Sequence, residues 1–214
     1  MSRYQLQESD QGLRLVDRYS HQHPLRINFN DAEFSYRLRK GGGRKEMLAR
    51  AVGVKPGLRV VDCTAGLGRD SFLLASLGCK VTLFERSPIM AMLLEDGIKR
   101  AMANEQLFAD ASNLNLVMGD AIQNLESLTS GADVLLVDPM FPEKKKSAKV
   151  KGEMQFLQRF IGSDMVAAKL LDMALSCTFQ RVVLKRPLFV DELSGLKPSF
   201  TLKGKSSRFD VFQR

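Results

Sequence analysis

The stretch VLLVDPMFPEKKKSAKVK, residues 134–151, places an acid, an aromatic ring and a run of lysines close together. An apolar segment typical of a buried strand ends at Asp138, Pro139 follows directly, and Phe141 lies two residues further on. A carboxylate beside a proline-fixed carbonyl offers two acceptors for the hydrogens of an amine on which positive charge grows. An aromatic ring can hold a base that has left its stack. The pattern predicts chemistry at the exocyclic amine of a nucleobase, with Asp138, Pro139 and Phe141 as the catalytic residues.

Positively charged residues are concentrated directly after this segment and near other predicted loops. Five lysines lie within eight positions, and the whole chain has a net charge of +8, which suits a polyanionic partner. Beside a base-binding pocket such a run suggests a grip on phosphates, although a solvated loop is the alternative when the run is considered alone. The residues predicted to form this nucleic-acid-binding surface are Lys144, Lys145, Lys146, Lys149, Lys151, Lys40, Arg44, Lys185 and Arg186.

Acidic residues and glycines lie at the ends of three other apolar segments. Asp62 ends one segment and is followed by Gly66 and Gly68, which would let the backbone approach a ligand next to a helix N-terminus. Glu85 ends the next segment, at a position suited to ribose hydroxyls. Asp120 ends the third, where it could reach an adenine ring. The arrangement predicts a nucleoside-containing cofactor.

The residues around the glycines favour S-adenosylmethionine over a dinucleotide. A dinucleotide fingerprint reads G-x-G-x-x-G, and this chain has Ser71 at the third position. Asp70, at the predicted helix start, would not favour an anionic pyrophosphate. S-adenosylmethionine has no phosphate, and Asp62 and Asp70 suit its cationic groups while Arg69 suits its carboxylate. A structural Arg–Asp pair is the alternative for residues 69 and 70.

Alternating strands and helices are predicted to position these residues. Segments that are apolar almost throughout are typical of strands covered on both faces, so we expect an α/β fold with a mostly parallel sheet. Ligands bind at the carboxyl ends of such strands. The tail SFTLKGKSSRFDVF predicts a C-terminal antiparallel hairpin at the end of the sheet. The predicted parallel strands are 58–63, 80–85, 114–120, 132–138 and 181–187, with a further short strand at 25–29.

Three helices carry end signals in the sequence. A short helix is expected from Arg44 to Gly53, where glycine suits a helix C-terminus. Ser87 followed by proline predicts the start of a helix that runs to about residue 103. Ser163 is the expected cap of a third helix, which continues through residues 167–174.

Bulk composition is that of an ordinary globular chain. The 214 residues, 44% hydrophobic and 26% charged, suit one domain, with or without a small appendage. No apolar run approaches the ~20 residues of a membrane span, and the polar start MSRYQLQESDQG lacks the apolar stretch of a signal peptide, so a cytoplasmic location is expected. Three widely separated cysteines and the isolated pair His21 and His23 argue against a disulfide framework and against a metal site.

Long segments of the chain resemble one known family. The stretches VVDCTAGLGRDSFLLASLGCKVTLFERSP and LLVDPMFPEKKKSAKVKGEM closely resemble the bacterial 16S ribosomal RNA guanine-N2 methyltransferase J family, and KGGGRKE, VVLKRP and RFDVF are similar to further parts of it. The resemblance covers residues 38–214 and implies a Rossmann-like class I methyltransferase domain, with residues 1–37 as an N-terminal extension or small subdomain. It implies a seven-stranded sheet with a reversed last strand, S-adenosylmethionine as donor, and a guanosine in 16S ribosomal RNA of the 30S subunit as acceptor.

The resemblance also implies positions for the cofactor contacts. By similarity they fall on Arg69, Asp70, Glu85, Arg86, Asp120, Ala121 and Asp138. The chain departs from the family pattern at residues 120–121, where small hydroxyl residues are frequent. It departs from the wider amino-methyltransferase pattern Asn/Asp-Pro-Pro-Tyr/Phe at Met140, which replaces the second proline.

Other functions remain open at this point. An adenine-N6 methyltransferase would use the same acceptor motif, because both amines present the same hydrogens. A ribosome-assembly RNA-binding protein without catalysis is a further alternative, against which the intact Glu85, Asp138 and Phe141 argue. An NAD-dependent oxidoreductase is disfavoured by Ser71 and by the lysine run.

Overall fold

Strands and short helices alternate along most of the chain. The structure, a computed structural model, describes residues 3–20, 23–40, 43–128, 131–139, 156, 160, 167–177, 179–188 and 197–214. In these ranges the strands are β1 Tyr4–Gln7, β2 Arg14–Asp17, β3 Arg59–Asp62, β4 Lys80–Glu85, β5 Leu114–Met118, β6 Val134–Val137, β7 Arg181–Pro187, β8 Phe200–Lys203 and β9 Ser207–Gln213. The α-helices are α1 Ala32–Lys40, α2 Met47–Val52, α3 Arg69–Ser76, α4 Pro88–Met102, α5 Phe108–Ala111, α6 Ala121–Leu128 and α7 Ala167–Ser176, and a 3-10 helix spans Gly43–Lys45.

Seven of these strands form one sheet in the order β5-β4-β3-β6-β7-β9-β8. The pairs from β5 to β7 are parallel, whereas β9 runs antiparallel to both of its neighbours. The predicted α/β fold, with a mostly parallel seven-stranded sheet and a reversed last strand, is therefore confirmed. The predicted C-terminal hairpin is also present, and its second strand, β9, inserts between β7 and β8.

The sheet is buried on both faces, because successive strand residues enter two different hydrophobic clusters. Val60 packs in one cluster and Val61 in the other, as the two-residue period of a strand requires. Leu135 and Leu136 divide in the same way, and all four residues of β6 are buried. This burial on both faces explains why the sequences of the strands are apolar almost throughout.

Two of the predicted helix ends are confirmed. The Ser87 hydroxyl accepts a hydrogen bond from the backbone N–H of Met90, and Pro88 is the first residue of α4. Gly53 ends α2 in the left-handed conformation, with φ of 73°. The third predicted end, the cap at Ser163, lies outside the described residues.

The N-terminal segment packs onto the same core as the sheet. β1 and β2 form a separate antiparallel pair, and the Phe29 ring stacks on Phe72 of α3 with 4.4 Å between the ring centroids. The prediction of a strand at 25–29 is wrong, because only an isolated bridge between Leu25 and Leu15 forms there. This packing of the N-terminal segment places α1 at the carboxyl edge of the sheet. The domain boundary between residues 37 and 38 stays a prediction.

No helix in the described part of the chain is both long and apolar enough to cross a membrane.

Candidate active site

The order of the strands reverses at β3, which has β4 on one side and β6 on the other. Loops that leave parallel strands at such a point diverge and open a crevice at the carboxyl edge of the sheet. A cavity of about 310 Å³ lies there, at the lower end of the range typical of small-molecule sites. Most of the predicted site residues line it: Asp62, Gly66, Arg69, Asp70, Glu85, Arg86, Asp120, Ala121, Asp138, Pro139 and Lys185.

The turn between β3 and α3 depends on two left-handed glycines. Gly66 has φ of 53° and lines the cavity, and its N–H donates to Glu85 Oε2 at 3.1 Å. Gly68 has φ of 70° but is not among the cavity-lining residues. A Cβ on Gly68 would stand 2.6 Å from Leu94 Cδ1 and 3.1 Å from Phe29 Cζ. The position of Gly68 therefore fits close packing of the turn on α4.

Asp62 is a buried carboxylate whose hydrogen-bond donors are neutral. Oδ2 accepts from the Ser71 hydroxyl at 2.6 Å, and Oδ1 accepts from the Thr64 backbone N–H at 2.9 Å. Burial raises the pKa of Asp62 to about 6, although these two hydrogen bonds act in the opposite direction. A cation that entered the cavity would favour the ionised form, so Asp62 is suited to a positively charged group of a ligand.

Glu85 joins the turn after β3 to the turn after β4. Its Oε2 accepts from Gly66 N–H and its Oε1 accepts from Ser87 N–H at 2.8 Å. The residue is 6% exposed, and burial raises the pKa of its carboxyl group. A carboxylate offers about four acceptor positions, so Glu85 retains acceptor capacity for a ribose hydroxyl.

Asp70 lies between two cations, one from the N-terminal segment and one from β7. Arg37 Nη1 is 2.9 Å from Asp70 Oδ1, and Lys185 Nζ is 2.7 Å from Asp70 Oδ2. Burial alone would raise the pKa of Asp70, but the charges of Lys185 and Arg37 outweigh it and lower the pKa to about 2. Arg37 is fixed in turn by Glu46, with Nε 2.8 Å from Oε1.

Asp138 stands at the tip of β6 and faces both the cavity and Lys185. Lys185 Nζ is 2.7 Å from Asp138 Oδ2, and the backbone N–H of Asp138 donates to the Thr64 hydroxyl at 2.7 Å. The Asp138 side chain is 34% exposed, whereas Pro139 is buried. Desolvation raises the pKa of Asp138, although Lys185 counteracts it. Phe141, the third predicted catalytic residue, lies outside the described residues.

The remaining predicted cofactor residues line the same cavity from its other walls. Asp120 Oδ1 accepts the backbone N–H of Ile122 at 2.9 Å and so stabilises the start of α6, of which Ala121 is the first residue. Arg69 Nη2 lies 3.4 Å from Asp31 Oδ2 in the N-terminal segment. With Arg86, the described lining contains carboxylates and cations in nearly equal number, which suits a ligand that itself carries both signs.

The predicted basic surface needs correction at two residues. The Arg186 side chain is 2% exposed and pairs with Asp210 of β9, so it cannot extend an exposed phosphate grip. Lys185 is engaged by Asp70 and Asp138 within the cavity instead of facing outward on the rim. Arg44 is exposed in the 3-10 helix, as expected. Lys40 is described only as the last residue of α1, and Lys144, Lys145, Lys146, Lys149 and Lys151 lie outside the described residues.

Sequence reasoning missed the roles of Arg37, Thr64 and Ser71. Thr64 had a usable signal, since it is a hydroxyl residue two positions after a strand-end acid. Arg37 had none, because Asp70 is 33 positions away along the chain.

The described ranges bear on the predictions for metal ligands and cysteines. No group of three or more His, Cys, Asp or Glu side chains is arranged there to hold a metal ion. Cys63 and Cys79 are free and buried, and Cys177 is free and half-buried.

The chain is similar to known proteins along its whole length. The family model described as "Putative SAM-dependent methyltransferase" matches residues 1–214. Ribosomal RNA small subunit methyltransferase J of Ectopseudomonas mendocina is 44% identical over an alignment of length 215. The alignment covers 99% of this chain and 83% of that protein. The protein of the same name from Aeromonas salmonicida is 48% identical over 189 residues, 87% of this chain and 76% of that protein.

A solved structure of another protein is similar to this chain in its fold. The crystal structure of an SAM-dependent methyltransferase from Neisseria gonorrhoeae superposes with a TM-score of 0.74 at 34% sequence identity. The superposition covers 94% of this chain and 78% of that chain. The family match also includes the N-terminal residues, among them Arg37.

Proposed function

The chain belongs to the ribosomal RNA small subunit methyltransferase J family of S-adenosylmethionine-dependent methyltransferases, and we propose that it methylates the exocyclic N2 amine of a guanosine in 16S ribosomal RNA. The observation that carries this proposal is that Glu85 and Asp138, from strands on either side of β3, line one cavity. One carboxylate suits the ribose of the donor, and the other suits the amine of the acceptor.

The residues present fit the cofactor chemically. When bound, S-adenosylmethionine supplies a methyl group activated by attachment to a positively charged sulfur. Glu85 would hold the ribose hydroxyls, Asp120 would contact the adenine, and Arg69 would pair with the carboxylate. Asp62 would favour a cationic group, because this buried acid has neutral hydrogen-bond donors. Gly66, Asp70, Arg86 and Ala121 complete the proposed cofactor wall.

Asp138 would act on the acceptor amine. The amine nitrogen would take the methyl group that the bound donor supplies, and the sulfur would leave with the bonding electron pair. The nitrogen would thereby gain a positive charge, and the Asp138 carboxylate, which lines the cavity, would accept the proton that it gives up. The Pro139 carbonyl would accept the second hydrogen of the amine and so fix its direction of attack. Phe141 would stack on the base.

The macromolecular part of the proposal rests on the relatives' names and on charge. Relatives at 44% and 48% identity bear names that specify ribosomal RNA of the small subunit. The net charge of +8 and the lysines at 144–151 suit contacts with RNA phosphates, which position a substrate without reading its sequence. We also propose the 30S particle as the partner of this chain. We propose the cytoplasm as its location, because ribosomal subunits mature there.

A methylation assay with two forms of the substrate tests this function. The purified protein would be incubated with labelled S-adenosylmethionine and either naked 16S RNA or 30S subunits that lack the modification. Digestion to nucleosides and mass spectrometry would identify the product, with the Asp138→Ala variant as the blank. N2-methylguanosine in either reaction is the expected result. N6-methyladenosine would move the assignment to the other base amine, and no methylated nucleoside with either RNA would refute the proposal.

A further inference from the structure

Lys185 occupies a position that the proposed chemistry does not yet use. Its ammonium lies 2.7 Å from a carboxylate oxygen of Asp70 and 2.7 Å from one of Asp138. The first acid belongs to the start of α3, on the proposed cofactor side, and the second to the tip of β6, on the acceptor side. Lys185 therefore connects the two halves of the cavity.

The register of the sheet explains this placement. β6 and β7 are parallel, with Val137 opposite Leu184. The next residues along the two strands are Asp138 and Lys185, so they emerge side by side, about 4.8 Å apart in the direction of strand pairing. The backbone N–H of Asp138 also donates to the Thr64 hydroxyl, and Lys185 lies within β7. The backbone is therefore held in place at both ends of the Lys185–Asp138 contact.

The contact leaves one oxygen of Asp138 available. Lys185 engages Oδ2, whereas Oδ1 has no hydrogen-bond partner among the described residues. Asp70 holds the ammonium from the opposite side and is itself held by Arg37. An ammonium with two carboxylates at this distance is poorly suited to gripping an RNA phosphate, because the phosphate would have to compete with two fixed anions.

We infer that Lys185 is a positioning residue for methyl transfer, which fixes Oδ2 of Asp138 so that Oδ1 faces the acceptor amine. This inference rests on the proposed function and adds a residue to it. The lysine touches neither the amine nor the methyl group, and it acts through Asp138. Loss of its charge should therefore slow the chemical step and leave the binding of both substrates nearly intact.

The test compares three variants with the wild-type protein. Lys185→Met keeps the length of the side chain and removes its charge, Lys185→Arg keeps the charge, and Lys55→Met is the matched control. Lys55 is exposed in the turn before β3, at the end of that strand opposite the cavity. Titration with S-adenosylhomocysteine checks that the cofactor site is intact. The rate of a single turnover is then measured across pH at saturating RNA and S-adenosylmethionine.

Lys185→Met should lower the rate at saturation roughly 10- to 100-fold, as expected when a reacting group is misplaced. The acidic limb of its pH–rate profile should move to higher pH, since Asp138 would protonate more easily without the neighbouring cation. Lys185→Arg should recover part of the rate, and Lys55→Met should behave as wild type. An unchanged rate in Lys185→Met, or a defect that disappears at saturating RNA, would overturn the inference, and the second result would return Lys185 to phosphate binding.

A measurement without RNA separates this inference from the proposed function. The Asp138 carboxyl carbon can be titrated by carbon NMR in the wild-type and Lys185→Met proteins. The pKa of Asp138 should be higher in the variant, and equal values would contradict the positioning role even if the wild-type enzyme is active. A wild-type protein that methylates no ribosomal RNA but shows this pKa difference would refute the function and leave the Lys185–Asp138 coupling standing.

Discussion

The backbone N–H of Asp138 donates a hydrogen bond to the Thr64 hydroxyl across 2.7 Å. Asp138 follows β6 and Thr64 follows β3, so the bond joins the loops of two neighbouring strands at the point where the cavity opens. The Thr64 backbone in turn donates to Asp62. The acid proposed for the acceptor and the acid proposed for the donor are thus linked through one threonine, and displacement of either loop would displace both.

The catalytic assignment predicts a specific loss in Asp138→Ala. Removal of the proposed amine acceptor should lower methylation of 16S RNA by at least ~100-fold, the range typical of a lost acid–base group. RNA binding should change little, because the proposed phosphate contacts lie elsewhere. Rates and RNA dissociation constants are measured together, with Asp172→Ala, an exposed acid on α7, as the control. Parallel loss of binding and rate would assign Asp138 to the RNA interface instead.

The ribose assignment predicts weaker cofactor binding in Glu85→Gln. A charge-assisted hydrogen bond contributes about 1.5–3 kcal/mol, so the dissociation constant for S-adenosylhomocysteine should rise more than ~10-fold. Isothermal titration calorimetry gives this constant directly. Glu95→Gln, on the exposed face of α4, should bind as wild type. Unchanged affinity in Glu85→Gln would mean that this acid serves only the backbone of Gly66 and Ser87.

The raised pKa of Asp62 predicts how stability depends on pH. Because its pKa is about 6 in the folded chain and 3.8 ordinarily, the folded state keeps a proton between about pH 4 and 6 that the unfolded state has released. The contribution of Asp62 to the free energy of unfolding is therefore highest below about pH 4 and falls as pH rises through 6, by on the order of 2–3 kcal/mol.

Asp62→Asn, which is neutral at every pH, isolates this effect. In the absence of cofactor the variant should gain in melting temperature relative to wild type, and the gain should be larger at pH 8 than at pH 5. Asp70 does not interfere, because its pKa of about 2 confines its own effect to more acidic solutions. Asp172→Asn supplies the baseline. A difference in melting temperature that stays constant from pH 5 to pH 8 would show that Asp62 does not titrate in this window.

The lysine run predicts a change in the salt dependence of RNA binding. Replacement of Lys144, Lys145, Lys146, Lys149 and Lys151 by glutamine should weaken binding and flatten the plot of log K against log salt concentration. Each lysine that contacts a phosphate of single-stranded RNA contributes a slope of about 0.7. Glutamine at the exposed Lys55 and Lys203 should have a much smaller effect. An unaltered slope would identify the run as a solvated loop.

Two glycines with the same backbone strain allow a matched test of packing. Gly68 and Gly57 have φ of 70° and 76°, so alanine at either should cost about 1–2 kcal/mol for the left-handed conformation. A Cβ at Gly68 would also collide with Leu94, whereas nothing lies within 4 Å at Gly57. Gly68→Ala should therefore destabilise the chain by roughly 1–3 kcal/mol more than Gly57→Ala in urea unfolding. Equal losses of stability in the two variants would mean that α4 shifts to accommodate the added methyl group at no cost in free energy.

Much of the fold was predictable because burial on both faces leaves a direct trace in the sequence. Strands such as β6 need apolar residues throughout, and the carboxyl end of each strand then identifies candidate residues such as Asp62, Glu85 and Asp138. The N-terminal residues 25–29 gave a misleading trace, because Leu25, Ile27 and Phe29 alternate as they would in a strand. These buried side chains instead pack on the core, with Phe29 against α3 and Ile27 beside Gly97 of α4, and only one isolated bridge forms.

The charged partners were not predictable, because they depend on contacts between distant segments. Lys185 and Arg186 are adjacent, and a sequence shows two basic residues at a strand end. Insertion of β9 beside β7 brings Asp210 to Arg186, while α3 and β6 bring two acids to Lys185. Residues with the same local context therefore have different surroundings, and neither is free to join an exposed basic surface.

The position of β9 has a consequence for biosynthesis. Because β9 pairs with β7 on one side and β8 on the other, the edge of β7 stays open until residues 207–213 have left the ribosomal exit tunnel. Until then Arg186 lacks Asp210, its ion-pair partner. Lys185 lies on the same strand, whose edge is still unpaired. A nascent chain can pair its first five sheet strands before β9 emerges, but its methyl-transfer pocket should mature only once β9 has been inserted.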